Sequence, residues 1–132
     1  FVDIIYLDPP YNIHPYGSNY HILNTILENT LENKSISKVV GIPNDWNRSN
    51  YCSTKHVYDS MKDLLKHCQC HYILLSYNDE GILSIKQLKD ILKDLNYTYE
   101  IKTKKYNTYR GSRNLQNRNK HVNEYLWLIK KI

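Results

Sequence analysis

VDIIYLDPPY, residues 2–11, runs from β-branched and aromatic residues into an acid, two prolines and a tyrosine. Val2 to Leu7 reads as a largely buried strand, because only Asp3 interrupts the apolar run and the proline pair forbids its continuation. Strands that are apolar on both faces belong mostly to parallel sheets. HYILLSY, residues 71–77, is a second strand of that kind. Two such strands joined through helices form a right-handed crossover, so the expected class is α/β with a mostly parallel sheet.

The rest of the chain fits around these strands. After the loop-like NIHPYGSN of residues 12–19, with Ser18 or Asn19 as cap, Ile22, Leu23, Ile26, Leu27 and Leu31 recur at helical spacing and predict a helix over about residues 20–32. Polar residues then predict a long surface loop over 33–50, with a turn at Gly41-Ile42-Pro43-Asn44-Asp45. A second helix is expected after Ser53 or Thr54, with Val57, Tyr58, Met61, Leu64, Leu65 and Cys68 on one face. A third is signed by Ser84 and Gln87 at capping-box spacing and by the stripe Ile85, Leu88, Ile91, Leu92, Leu95. Beyond Asn96 the pattern alternates, with Tyr97, Tyr99 and Ile101 on one side, and His121 to Ile129 reads as the last strand. No helix separates these two strands, so an antiparallel hairpin at the sheet edge is predicted.

The 132 residues suit one domain with a modest core, and 41% hydrophobic against 23% charged residues is the balance of a folded chain. No apolar run approaches the roughly 18 to 20 residues that cross a bilayer, and no secretory leader opens the chain, so a cytoplasmic location without membrane attachment is the expectation. Cys52, Cys68 and Cys70 are odd in number, and the last two stand too close together for an ordinary metal knuckle; reduced thiols are expected. The net charge of +5 is localised. Residues 101–123 hold Lys102, Lys104, Lys105, Arg110, Arg113, Arg118 and Lys120 and no acid, while the other eleven basic residues face all 13 acids, a balance of −2. A basic loop between the last two strands is therefore expected, and Lys104, Lys105, Arg110, Arg113 and Arg118 are candidates for DNA-backbone contact, a solvated loop being the plain alternative.

In open α/β sheets ligands bind beyond the carboxyl ends of the strands, which here means Asp8-Pro9-Pro10-Tyr11. Two prolines remove two backbone donors and leave their carbonyls free, so with the Asp8 carboxylate the stretch is a stiff set of acceptors. The matching ligand has paired N–H donors, such as the exocyclic amine of a nucleobase, and Tyr11 supplies a flat face for an unstacked base. A plain strand-ending turn beside one of the chain's 13 tyrosines is the other reading.

Asp8-Pro9-Pro10-Tyr11 after an apolar strand resembles the catalytic tetrapeptide of S-adenosylmethionine-dependent DNA methyltransferases that modify the exocyclic amine of adenine. The resemblance continues through Tyr16-Gly17-Ser18-Asn19-Tyr20-His21, Leu23-Asn24-Thr25-Ile26, the run from Leu74 to Gly81, and Glu124-Tyr125-Leu126, which look like later motifs of the Dam-like class, in the branch that accompanies restriction endonucleases. It implies a partial Rossmann-like methyltransferase fold, S-adenosylmethionine as methyl donor, double-stranded DNA as substrate and a cognate restriction endonuclease as partner. It further implies that Asp8 and the Pro9 carbonyl accept the two amine hydrogens, that Pro10 completes the rigid turn, and that Tyr11 stacks on the flipped adenine. The family's glycine-rich cofactor loop has no counterpart here, since no Gly-x-Gly occurs. Residues 1–132 are therefore expected to be the C-terminal catalytic part of the domain, with the cofactor-binding half upstream of Phe1, inactive alone; cofactor-binding residues are unassigned beyond Asp8 as a neighbour. The branch commonly carries arginine-glutamine where His14-Pro15 stand.

Other groupings are weighed against this reading. Asn78-Asp79-Glu80 could suggest a metal, but backbone-bonding loop residues are the preferred reading, and the six histidines show no ligand spacing, so no metal is expected. Trp46, Arg48 and Tyr51 could approach DNA or simply pack together. Alternatives for the whole chain are methylation of the cytosine amine, where serine commonly replaces the acid, or of RNA, and a non-catalytic DNA-binding remnant.

Overall fold

The computed structural model describes residues 1–29, 35–38, 41–42, 44, 48–108 and 120–131. Four strands, β1 (Val2–Leu7), β2 (Cys70–Asn78), β3 (Thr98–Asn107) and β4 (His121–Lys130), form one sheet in the order β1-β2-β4-β3. β1 and β2 are parallel, with Ile4 beside Tyr72 and Leu7 beside Leu75. β4 is antiparallel to both of its neighbours, so the sheet is mixed and the mostly parallel sheet expected above is corrected. The cause is the terminal hairpin: β3 does take the edge, but β4 returns from it into the space beside β2 and reverses direction against both strands.

The helices are α1 (Tyr16–Asn19), α2 (His21–Glu28), α3 (Val57–His67) and α4 (Ile85–Asp94), with a 3-10 turn at Asn50–Cys52. The first predicted helix is thus two pieces, and Ser18 and Asn19 lie inside α1 instead of capping α2. Their side chains bond backward, Ser18 Oγ to the Pro15 carbonyl and Asn19 Nδ2 to that of His14. Asn29 ends α2 in the left-handed region at φ 48°, a conformation asparagine tolerates; residues 30–32 lie outside the described residues. α3 stops at its cap Cys68, whose N–H reaches the Leu64 carbonyl. α4 carries the predicted capping box, Gln87 N–H to Ser84 Oγ at 3.2 Å and Ser84 N–H to Gln87 Oε1 at 2.9 Å. The expected turn near Gly41 is present in Gly41 itself, at φ 66° and bonded to the Ser37 carbonyl; Pro43 and Asp45 are not among the described residues.

α3 and α4 cover a single face of the sheet. Met61 and Leu65 of α3 and Leu88, Ile91 and Leu92 of α4 pack with Ile73, Leu75 and Tyr77 of β2 and Trp127 and Ile129 of β4, all essentially excluded from solvent. Burying each such aliphatic side chain stabilises the fold by roughly 1.5–3 kcal/mol relative to exposure. β3 adds half-buried Ile101, beside Trp127; Tyr99 stands on the same side, as the alternation predicted, exposed but with its ring 5.4 Å from that indole.

Among the described residues no helix covers the opposite face, and this corrects the largely buried β1. Ile5 and Leu7 reach the core, but Val2, Ile4 and Tyr6 are 51–59% exposed because β1 is an edge strand and no described helix lies over that side. Tyr72, Leu126 and Leu128 continue the same surface, and the apolar stripe of α2, Ile22, Leu23, Ile26 and Leu27, is exposed too. No described helix is long and apolar enough to cross a membrane.

Candidate active site

Strand register brings three chain segments together at one end of the sheet. Leu7 pairs with Leu75, so Asp8 follows beside Ser76, while β4 places Leu126 opposite Ser76 and Glu124 opposite Asn78. These ends open onto a cavity of about 390 Å³ lined by the whole Asp8–Tyr11 stretch, by His14, Tyr16 and Asn19 beyond it, and by Ser76 and Glu124 from the sheet. All four residues of the tetrapeptide therefore face one site. Among the described residues no hydrogen bond is donated to the Asp8 carboxylate or to the Pro9 carbonyl, so both acceptors are unspent.

Tyr11 is held from behind. Its carbonyl accepts the Ile82 N–H at 2.8 Å, and its ring meets the edge of Tyr77 with centroids 6.2 Å apart and planes at 76°. Burial, then the Glu124 and Asp8 carboxylates, push its phenol above the ordinary tyrosine range. It is a neutral aromatic surface at physiological pH, and the negative potential raising it belongs to the cavity.

Asp79 serves the frame. Its Oδ1 accepts the Asn123 N–H at 3.0 Å and its Oδ2 the Asn123 side-chain amide at 2.7 Å, joining the end of β2 to the start of β4, the backbone-bonding role expected for this loop. Among the described residues no three histidines, cysteines or acids come together as a metal set. Cys52, Cys68 and Cys70 are free thiols.

The basic segment divides. Its first part is strand, not loop: β3 runs to Asn107, and Lys104 and Lys105 stand on this edge opposite Glu124 and Asn123. Lys104 also sets its ammonium 5.1 Å from the Tyr106 ring centre. Arg110, Arg113 and Arg118 lie outside the described residues, as does Trp46. Tyr51 packs against the core with its hydroxyl directed at the Ser60 carbonyl, and it is not among the residues lining the tetrapeptide's cavity. Ser76 and Glu124 both lie within motif-like runs of the sequence, but neither is a candidate site residue there; only the pairing of β2 with β1 and the antiparallel insertion of β4 put them at the cavity with Asp8.

A family model described as D12 class N6 adenine-specific DNA methyltransferase matches residues 1–108. The chain belongs to that family. Among curated relatives, the type II methyltransferase M.NlaIII of Neisseria lactamica is 36% identical over 98% of this chain, and the modification methylase StsI of Streptococcus sanguinis is 37% identical over the same share. The type II methyltransferase M.FokI of Planomicrobium okeanokoites is 35% identical, again over 98% of the chain. The match to these relatives extends into β4, beyond the span of the family model. The chain spans 38% of the length of the first relative and 20% of each of the other two. No solved structure matches it.

Proposed function

We propose that this chain forms the amine-binding side of an enzyme that transfers a methyl group from S-adenosylmethionine to N6 of adenine in double-stranded DNA. The observation that carries the reading is the pair of unspent acceptors, Asp8 and the Pro9 carbonyl, beside Tyr11 in one cavity. A flipped adenine laid on Tyr11 directs its amine at both acceptors. Holding the two hydrogens turns the nitrogen lone pair outward, which is positioning, and the negative charge of Asp8 steadies the positive charge that grows on nitrogen. Pro10 keeps the turn stiff. S-adenosylmethionine supplies an electrophilic methyl carbon when bound, and a cavity faced by two carboxylates suits its cationic character. Asp8 would border it; no other residue of this chain is assigned to it.

The remainder of the reading concerns the whole enzyme. Residues 1–132 are the C-terminal catalytic part, with the cofactor-binding half supplied by preceding sequence. Support comes from the chain's 38% and 20% shares of its relatives and from the bare sheet face and open β1 edge, which ask for cover. The relatives' names, type II methyltransferase and modification methylase, support a place in restriction-modification, and a cognate endonuclease is the partner that place would bring. Lys104 and Lys105, with Arg110, Arg113 and Arg118, are proposed to contact DNA phosphates.

The test uses the product of the complete reading frame that encodes this chain, labelled S-adenosylmethionine and duplex DNA. N6-methyladenine is the expected product, and Asp8→Ala is expected to abolish it. DNA binding without transfer, methylated cytosine, or equal methylation by the variant would each overturn the reading.

A further inference from the structure

The loop that follows β2 grips Tyr11 at two points. Tyr77, 1% exposed near the end of β2, lays its ring edge against the Tyr11 ring and accepts the Leu83 N–H on its hydroxyl at 3.2 Å. Ile82 donates its N–H to the Tyr11 carbonyl at 2.8 Å. Gly81 stands between these two holds. A Cβ at this position would overlap Cε1 of the Tyr77 ring and come within 2.8 Å of its Cζ.

We infer that Gly81 and Tyr77 are positioning residues which set the height and tilt of Tyr11 as the floor beneath the target base. The inference rests on the proposed stacking role of Tyr11 and names what places it. A methyl group at residue 81 can be accommodated in two ways. The Tyr77 ring cannot retreat into the core, where Leu75, Leu83 and Leu88 are as fully buried as it is, so it moves toward Tyr11. Otherwise the loop withdraws, and Ile82 takes its hydrogen bond from the Tyr11 backbone with it. Either relief displaces the floor, so the missing side chain at 81 is a requirement of the site, transmitted through Tyr77 and Ile82.

The experiment compares wild type, Gly81→Ala, Tyr11→Ala and the double variant of the full reading-frame product, on duplex DNA with 2-aminopurine at the target position. Stacking on Tyr11 quenches the flipped analogue in the wild type. Gly81→Ala is expected to relieve that quenching and to raise KM for target duplex about tenfold, with kcat nearly kept. Its affinity for the same duplex carrying an abasic target site is expected to match wild type, a separation that general loss of structure does not produce. In the Tyr11→Ala background the Gly81 change is expected to add nothing, since residues acting through one another are not additive. Wild-type quenching in Gly81→Ala, or full additivity in the double variant, would overturn the inference. If Gly81→Ala does not fold, Tyr77→Phe decides, because it keeps the ring and removes only the acceptor for Leu83: partial loss of quenching supports the inference and unchanged quenching overturns it. Absence of adenine methylation by wild type would be a failure of the proposed function itself, visible before any of these comparisons.

Discussion

Asp8 and Glu124 are far apart in the chain and line one cavity, which Ser76 and Tyr11 line with them. Under the proposed transfer, two carboxylates bordering the nitrogen that becomes positively charged would act in the same direction, because a cation between fixed negative charges is favoured most where water is scarce. Glu124→Gln is therefore expected to lower kcat about tenfold, ~1.4 kcal/mol of lost charge stabilisation, while leaving KM for DNA close to wild type. Glu124→Asp should retain most of the rate. Steady-state methylation kinetics on the two variants check this, and an unchanged kcat in Glu124→Gln would limit the glutamate to lining. At this scale half of the site is legible in the sequence. Asp8, Pro9, Pro10 and Tyr11 are contiguous, so their sharing of one cavity follows from adjacency in the chain, while residue type supplies acceptors and a flat ring and only the resemblance singles out adenine's amine. Ser76 and Glu124 gain their place from pairing across strands, and no local pattern states that register.

The elements divide in the same way. α4 is legible throughout because its signals are local: Ser84 and Gln87 close the capping box, and Leu88, Ile91 and Leu92 fall on one buried face. Removing the Ser84 hydroxyl leaves the Gln87 N–H without its acceptor, so Ser84→Ala is expected to cost about 1 kcal/mol of stability. A urea titration of the chain would show this as a lower midpoint at unchanged slope. β1 is the contrary case. An apolar run reports that a strand is to be covered on both sides and not which polypeptide supplies the cover, so Val2, Ile4 and Tyr6 read as interior and stand exposed. Lys104 and Lys105 read as loop in the sequence because strand alternation and a solvated charge run share a composition; their continued pairing, Lys104 with Glu124 and Lys105 with Asn123, makes them strand.

Taken whole, the molecule is a sheet with one face dressed and one bare. Ile4, Tyr6, Leu126 and Leu128 lie on the bare side, and the exposed stripe of α2 adds to the apolar surface. Surfaces of this kind on an isolated chain drive self-association. The double variant Ile4→Lys and Leu126→Lys is expected to raise the solubility of the isolated chain several-fold without lowering its Tm, because neither side chain belongs to the buried core. Light scattering against concentration, together with a thermal melt, checks both halves of that expectation. The class α/β was legible because helical and strand periods alternate along the chain, whereas the strand order was not, since it depends on where β4 inserts. That insertion also has a consequence in time. β4 is translated after the other three strands, yet it lies in the interior of the sheet, and among the described strands β3 pairs only with β4. A nascent chain on the ribosome can join β1 to β2 early, but β3 must wait as an unpaired strand, and Trp127 and Ile129 arrive last to close the core. Such late, long-range closure is the slow kind of folding step.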